Sequence, residues 1–290
     1  MERLIIYLTS WLQRIFGCHK SISFVLQQWT NGVNPIEDLT ITGTGTFRVY
    51  RGTSTTPIQT FTLNNSSIDV QLPGTDDPNV SIKGNVRRIT ELNIRSTFWR
   101  PYVGGLLSID LSHAIGLKKL SLQWNSLVAL DISNCKKLTS LILDNSQKLE
   151  TVDLSKNKKL KEFSYSQSSM YAQQDVLKTL ILDNPELTKL SLTNQHALPS
   201  LDISKCPELL MLNLLDAQLP IVDITHNTKL NQISCTFNQT DTDNFYLALL
   251  TNVQAHPRAG TLYTRPCPTG TAIDAQNTLT TTYGWTITCN

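Results

Sequence analysis

A mostly β solenoid, a curved stack of about seven coils closed by a small unit at each end, is the fold class predicted by this 290-residue sequence. Three observations carry that expectation. Apolar units of the form L-x-x-L-x-L recur in two interleaved sets, and the full period is 21 or 22 residues. Short Thr- and Ser-rich alternating runs precede the repeats, and helical spacing follows them.

Residues 1–20 read as an amphipathic N-terminal helix or a degenerate export signal. Glu2, Arg3, Thr9, Ser10, Gln13 and Arg14 share one helical face, and the rest of MERLIIYLTSWLQRIFG forms a broad apolar one. IFGC at 15–18 is similar to a lipoprotein cleavage site, yet Gln13 and Arg14 interrupt the apolar run that a signal needs. Residues 21–88 carry DLTITGTGTFRVY, IQTFTLNN, SIDVQLPG and NVSIKG, separated by turn formers. They predict an antiparallel N-terminal β cap over the open end of the stack.

Residues 89–240 form the solenoid. One set of units starts at Ile89, Leu117, Leu138, Leu160, Leu187, Leu209 and Leu230; the other starts at Leu106, Leu127, Leu149, Leu177, Leu198 and Leu219. The first, fourth and sixth residues of a unit point inward, and those between alternate outward. One coil cannot bury its own apolar face, but a column can. Polar ninth positions (Asn125, Asn157, Asn227, Asn238) suit a buried ladder, and Cys135 and Cys206 stand at the same position. With Cys235 they read as buried free thiols. Both sets match the repeat, so the choice of inner curve stays open.

Residues 241–290 form a small α/β C-terminal cap. DTDNFYLALLTNV places Phe245, Leu247 and Leu250 at helical spacing, TAIDAQNTLTTTYG reads as a second helix, and WTITC as a last strand. Cys267 and Cys289 both lie here and form a staple if the chain is exported, with Cys18 left over. The sequence does not decide the connectivity.

LVALDISNCKKL, LETVDLSKNKKL, LPSLDISKCPEL and LPIVDITHNTKL resemble the L-D-V-S-x-N units of short-period bacterial leucine-rich repeat proteins of the Bacteroidetes type. The resemblance covers roughly residues 86–240, and the GWTI ending is similar to that family's closing G-W-T-V. It implies a leucine-rich repeat solenoid, a cell-surface or secreted location, and binding of a protein or carbohydrate ligand.

Catalytic, phosphate-cradling and zinc-binding motifs are missing from the sequence, and His19, His113, His196, His226 and His256 lack ligand spacing. The chain therefore reads as non-enzymatic, with no cofactor or metal. Lys and Arg number 25 against 23 Asp and Glu, which gives no footprint for nucleic acid. No segment reaches the length of an apolar transmembrane segment. Asp110, Asp131, Asp153, Asp202 and Asp223 repeat at the fifth position of the second set. Calcium-loop spacing is absent, so each is expected to bond its own turn and the neighbouring Ser112, Ser133, Ser155, Ser204 or Thr225, with Lys136, Lys156 and Lys205 offsetting charge.

Two intervals break the period. From Ile89 to Leu106 and from Leu160 to Leu177 are 17 residues each, where the others are 10 or 11. These insertions, STFWRPYVGG and SSMYAQQD, leave the same edge three coils apart, roughly 15 Å at the usual strand spacing. Phe98, Trp99, Arg100, Tyr102, Met170 and Tyr171 lie within them, and Trp124 stands in the coil after the first. Insertions in repeats often build the binding face, and aromatics with Arg dominate binding energy; the competing reading has them covering apolar coil surface. Ser121, Ser164, Ser191, Asn213 and Ser234 add a polar outward strip. Two functions follow: a recognition module gripping a protein or glycan, or a structural or assembly protein, for example a phage virion component, docked by its N-terminal helix. Oligomeric state is not specified by the sequence.

Overall fold

The computed structural model describes residues 21–26, 36–70, 72, 79–96, 105–146, 148–168 and 177–290. Residues 1–20, with the expected helix or signal, lie outside the described residues.

The leucine pattern does its work at the inward positions. Leu117, Leu120, Leu122, Leu187, Leu190 and Leu192 are each exposed by 1% or less, and burying such a side chain contributes about 1.5–3 kcal/mol. With inward and outward residues alternating, the first set forms strands β5 (Ile89–Ser96), β7 (Lys119–Gln123), β8 (Ser140–Ile142), β10 (Glu162–Ser164), β12 (Lys189–Ser191), β13 (Met211–Leu214) and β14 (Gln232–Thr236). They pair in parallel and in register, so Leu92, Leu120, Leu141, Phe163, Leu190, Leu212 and Ile233 stack as one apolar ladder. The first set thus makes the continuous sheet, a choice that the repeat pattern left open.

The second set is buried at its first and sixth positions, where Leu127, Leu149 and Leu154 have no exposure and Leu198 and Leu219 have 3%, but Ile109, Leu130, Leu180 and Leu201 at its fourth position are half-buried. Its strands are fewer. They are β6 (Leu106–Asp110), and β9 (Thr151–Asp153) paired with β11 (Thr179–Ile181). Asn157 holds this side together by donating to Ile132 O and Cys135 O, each at 3.0 Å. Asn184 repeats the pattern on Leu154 O and Asn157 O, and Asn227 on Ile203 O and Cys206 O.

Among the described residues four antiparallel strands lie N-terminal to the repeats: β1 (Ser21–Leu26), β2 (Ile36–Arg51), β3 (Gln59–Asp69) and β4 (Asn79–Gly84). The sheet runs from β5 through β2, β4 and β1 to β6, with β3 beside β2. Since β5 and β6 are the two sides of the first coil, these strands bridge its open end and pair its backbone edge. Ile22, Ile41, Phe47, Val49, Val80 and Ile82 are buried beneath them. IQTFTLNN and the start of SIDVQLPG, read from sequence as separate runs, are joined in β3 as far as Asp69. A register shift at Gly43/Thr44 leaves Asn65, at φ 54°, as the extra residue of a bulge, which bends the strand without ending it.

After β14 the second set gives way to helices. Helix α1 (Gln239–Ala255) leads to β15 (Thr261–Arg265), and α2 (Thr271–Tyr283) to β16 (Thr286–Cys289); both strands extend the parallel sheet. Asn238 is exposed and accepts the Asp241 N–H as the α1 N-cap, so it is not a ladder residue as its ninth position had implied. Asn252 of α1 takes that role, donating to Ile224 O at 2.8 Å. The buried face of α1 carries Phe245, Tyr246, Leu249 and Val253, whereas Leu247 is 40% exposed. The spacing read from sequence was rotated from the true face because Tyr246 turns inward, its hydroxyl 3.0 Å from that of Thr264. Cys267 and Cys289 are joined by a disulfide with Cα atoms 4.9 Å apart, tying the edge strand β16 to the loop before α2.

Candidate functional site

At the C-terminal ends of the parallel strands the backbone turns through a left-handed residue at the eighth position of the unit. These are Trp124 (φ 59°), Asn145 (φ 59°), Asn194 (φ 56°) and Asp216 (φ 53°). Asn and Asp tolerate that conformation because their short polar side chains bond locally. Trp124 has no such excuse, and placing it there costs roughly 1 kcal/mol. Neighbouring coils impose the turn: Trp124 N–H donates to Asp144 O at 3.0 Å, and Asn145 and Asn194 donate equivalently to Ser166 O and Leu215 O at 2.9 Å. Trp124 is neither sealed in the core nor fully exposed.

Asn125, the next residue, is buried and fully engaged. Its Oδ1 accepts from Ser96 Oγ at 2.7 Å and from the Leu106 N–H at 2.9 Å, and its amide donates to Ile94 O and Gln123 O. One side chain therefore clamps both roots of the first insertion beside Trp124. Gly105 sits at this root with φ 101°; a Cβ there would lie 2.2 Å from Ser96 Oγ, so any side chain would break the clamp.

The second insertion is rooted on the same edge. Tyr165 OH donates to Ser146 O at 2.7 Å, Gln167 Nε2 donates to the same carbonyl, and Ser168 N–H reaches Asn145 Oδ1 at 2.7 Å. From the following coil, Asn194 Nδ2 donates to Gln167 O. Of the residues expected at the site, Phe98, Trp99, Arg100, Tyr102, Met170 and Tyr171 lie outside the described residues. Trp124 is described, one coil from the first root and two from the second.

The outward strip is hydrogen-bonded across strands. Ser164 Oγ donates to Asp144 Oδ1 at 2.6 Å, which also accepts the Ser166 N–H, and Ser166 Oγ lies 3.0 Å from Ser191 Oγ. Ile142 interrupts the strip between Ser121 and Ser164. Beyond Ser234 the row continues with Tyr263, whose hydroxyl accepts from Arg265 Nε at 2.7 Å and from Asn290 Nδ2 at 3.3 Å. The repeat pattern could not find these three, because they follow the last leucine unit; the alternation in GTLYTR was the available signal for Tyr263 and Arg265.

The Asp row on the other side is structural. Asp110, Asp131, Asp153, Asp202 and Asp223 each accept, through Oδ1, the N–H two residues on, at 2.8–2.9 Å. The side-chain and backbone bonds from Ser133, Ser155 and Ser204 hold the carboxyls of Asp131, Asp153 and Asp202 below the usual range, and Thr225 does so for Asp223. Among the described residues no group of three or more His, Cys, Asp or Glu side chains could hold a metal ion. Burial pushes the Cys135 and Cys206 thiols up to about 11, and that of Cys235 further still. All three stay protonated at neutral pH, which suits packing and not nucleophilic chemistry.

The chain matches no protein-family model and no curated relative. Among solved structures it is similar to the functional domain of InlJ from Listeria monocytogenes, which includes a cysteine ladder. The identity is 24% and the TM-score 0.40, over 55% of this chain and 35% of that one. An internalin, inlF, from Listeria monocytogenes strain 4b F2365 is 15% identical with a TM-score of 0.24, over 71% of this chain and 88% of that one.

Proposed function

We propose that this chain is a non-enzymatic recognition module of the short-period bacterial leucine-rich repeat type, holding a protein or glycan partner along the strand-end edge. Trp124 carries this reading. A residue held in an unfavourable backbone conformation, where neighbouring coils use Asn or Asp, is retained for something other than stability. Its place beside the clamped roots of one aromatic insertion, on the edge that also roots a second, supports a contact surface built from Phe98, Trp99, Arg100, Tyr102, Trp124, Met170 and Tyr171. Rigid aromatic anchors at such an edge supply most of the affinity of a binding surface. The polar strip gives the partner hydrogen-bonding groups beside them.

The test is Trp124→Asn, which gives the turn the residue its backbone favours. Stability is expected to hold or to rise by up to about 1 kcal/mol, while hits of the parent chain on surface-protein and glycan arrays disappear. Binding retained by a stably folded Trp124→Asn chain overturns the assignment of this edge. Binding that survives there and vanishes on removal of residues 1–20 supports the assembly role instead.

A further inference from the structure

A second polar site lies away from the strand-end edge, on the outward face of the N-terminal strands. An open cleft of about 420 Å³ is lined by Arg48, Tyr50, Lys83 and the 52–55 loop, within the roughly 300–1,000 Å³ of small-ligand sites. Arg48 of β2 and Lys83 of β4 are direct cross-strand partners. Like charges placed opposite each other destabilise a sheet, and no carboxylate is among the described residues that line the cleft. The next residues along that row are Ser21, opposite Lys83, and Thr60, opposite Arg48; neither neutralises the pair.

The cleft is preorganised. Lys83 Nζ sits 4.4 Å from the Tyr50 ring centroid, a cation–π contact that fixes the ammonium without neutralising it. Gly52 turns the chain at φ 58° and donates its N–H to Asn79 O at 2.8 Å. Ser54 is spent on building the loop: its hydroxyl donates to Thr56 O at 2.9 Å and accepts the Thr56 N–H at 3.1 Å. Thr53 and Thr55 stay exposed at the rim.

We propose that this cleft binds an acidic saccharide, its carboxylate or sulfate held between Arg48 and Lys83 and its ring hydroxyls by Thr53 and Thr55. The Arg48 guanidinium presents a planar fork that matches either oxyanion, and the loop hydroxyls select a hydroxyl-bearing ligand over a bare anion.

Titration calorimetry on the full chain tests this with three probes: a sulfated heparin-derived tetrasaccharide, tetragalacturonate as its carboxylated counterpart, and neutral maltotetraose. Binding of either acidic probe, with none of the neutral one, supports the site; which acidic probe binds identifies the anionic group. Arg48→Ser/Lys83→Ser is expected to weaken that binding at least tenfold with Tm little changed, because the repulsive pair it removes offsets the lost Lys83–Tyr50 contact. Trp124→Asn should leave it unchanged, which separates this site from the strand-end edge. Lys136→Ser/Lys137→Ser, a charge-matched control on exposed residues, should also leave it unchanged. The proposal is overturned by failure of both acidic probes, by equal binding of maltotetraose, by retention in the Arg48/Lys83 variant, or by an equal loss in the control.

Discussion

The two sides of each coil carry nearly the same leucine pattern and fold differently. The first side buries all its fourth-position residues and is a continuous parallel sheet; the other leaves Ile109, Leu130, Leu180 and Leu201 half-buried and is mostly turns. The two sides differ at the fifth position. On the sheet side it is Asn93, Ser121, Ile142, Ser164, Ser191, Asn213 or Ser234, and the backbone proceeds to pair with its neighbours. On the other side it is Asp in five coils, and each carboxylate takes the N–H two residues on. That captured N–H bends the chain into an Asx turn and removes a donor from any ladder. The Asp does not forbid a strand, since Asp110 ends β6 and Asp153 ends β9, where it pairs with Ile181 of β11. The lesson is that the apolar spacing sets which residues turn inward, while an outward Asp ends the strand early by spending an N–H on its own turn.

On the turn side, stability must then come from buried amides instead of a ladder, and this gives a large expected effect. Asn157→Leu removes one of the two donors from each of the carbonyls of Ile132 and Cys135, which keep the N–H groups of Cys135 and Leu138, for a loss of about 1–3 kcal/mol. Chemical denaturation measures it, and a loss under about 1 kcal/mol would break the comparison.

Where helices replace the turn side, the disulfide is the added restraint. Its partners are 22 residues apart, so Cys289→Ser should cost about 2–4 kcal/mol. Thermal unfolding with and without reductant checks this, the variant matching the reduced parent.

A smaller effect tests the fifth position itself. Asp202→Ala should cost about 1 kcal/mol by freeing the Ser204 N–H from its turn. Ser234→Ala, at the matching position on the sheet side, should cost less than about 0.5 kcal/mol. Equal losses would remove the distinction drawn between the two sides.

The smallest effect is in acid. Asp131, Asp153, Asp202 and Asp223 titrate below the ordinary carboxylate range when folded and near 3.9 when unfolded. Their contribution is complete above about pH 5 and is lost as pH falls from about 4 through the folded values. The four carboxylates are largely solvated, so the loss is modest. Replacing all four by Asn keeps the Oδ1 acceptor and removes the titration. The drop in Tm between neutral pH and pH 3 should then be shallower than in the parent.

Much of this was legible from residues near one another in sequence. L-x-x-L-x-L announces the inward positions, D-x-S and D-x-T announce the Asx turns, and the two 17-residue intervals announce the insertions at one edge. Other features were not. Asn238 occupies a ladder position by count, but the helix that starts beside it claims its side chain as a cap. Leu247 fits helical spacing, yet the core selects Tyr246 because Thr264 offers its hydroxyl a partner. Trp124 stands out in the sequence by its place beside the first insertion, but its left-handed backbone is seen only in the structure.

The sequence by itself determined the period, the buried leucines and the local turns, because each depends on residues a few positions apart. The tertiary structure alone decided which side becomes the sheet, how β2, β4 and β1 join the two sides of the first coil, and that Arg48 faces Lys83. Those outcomes depend on strand pairings between segments far apart in the chain, and a pairing register is a property of two segments together, not of either one.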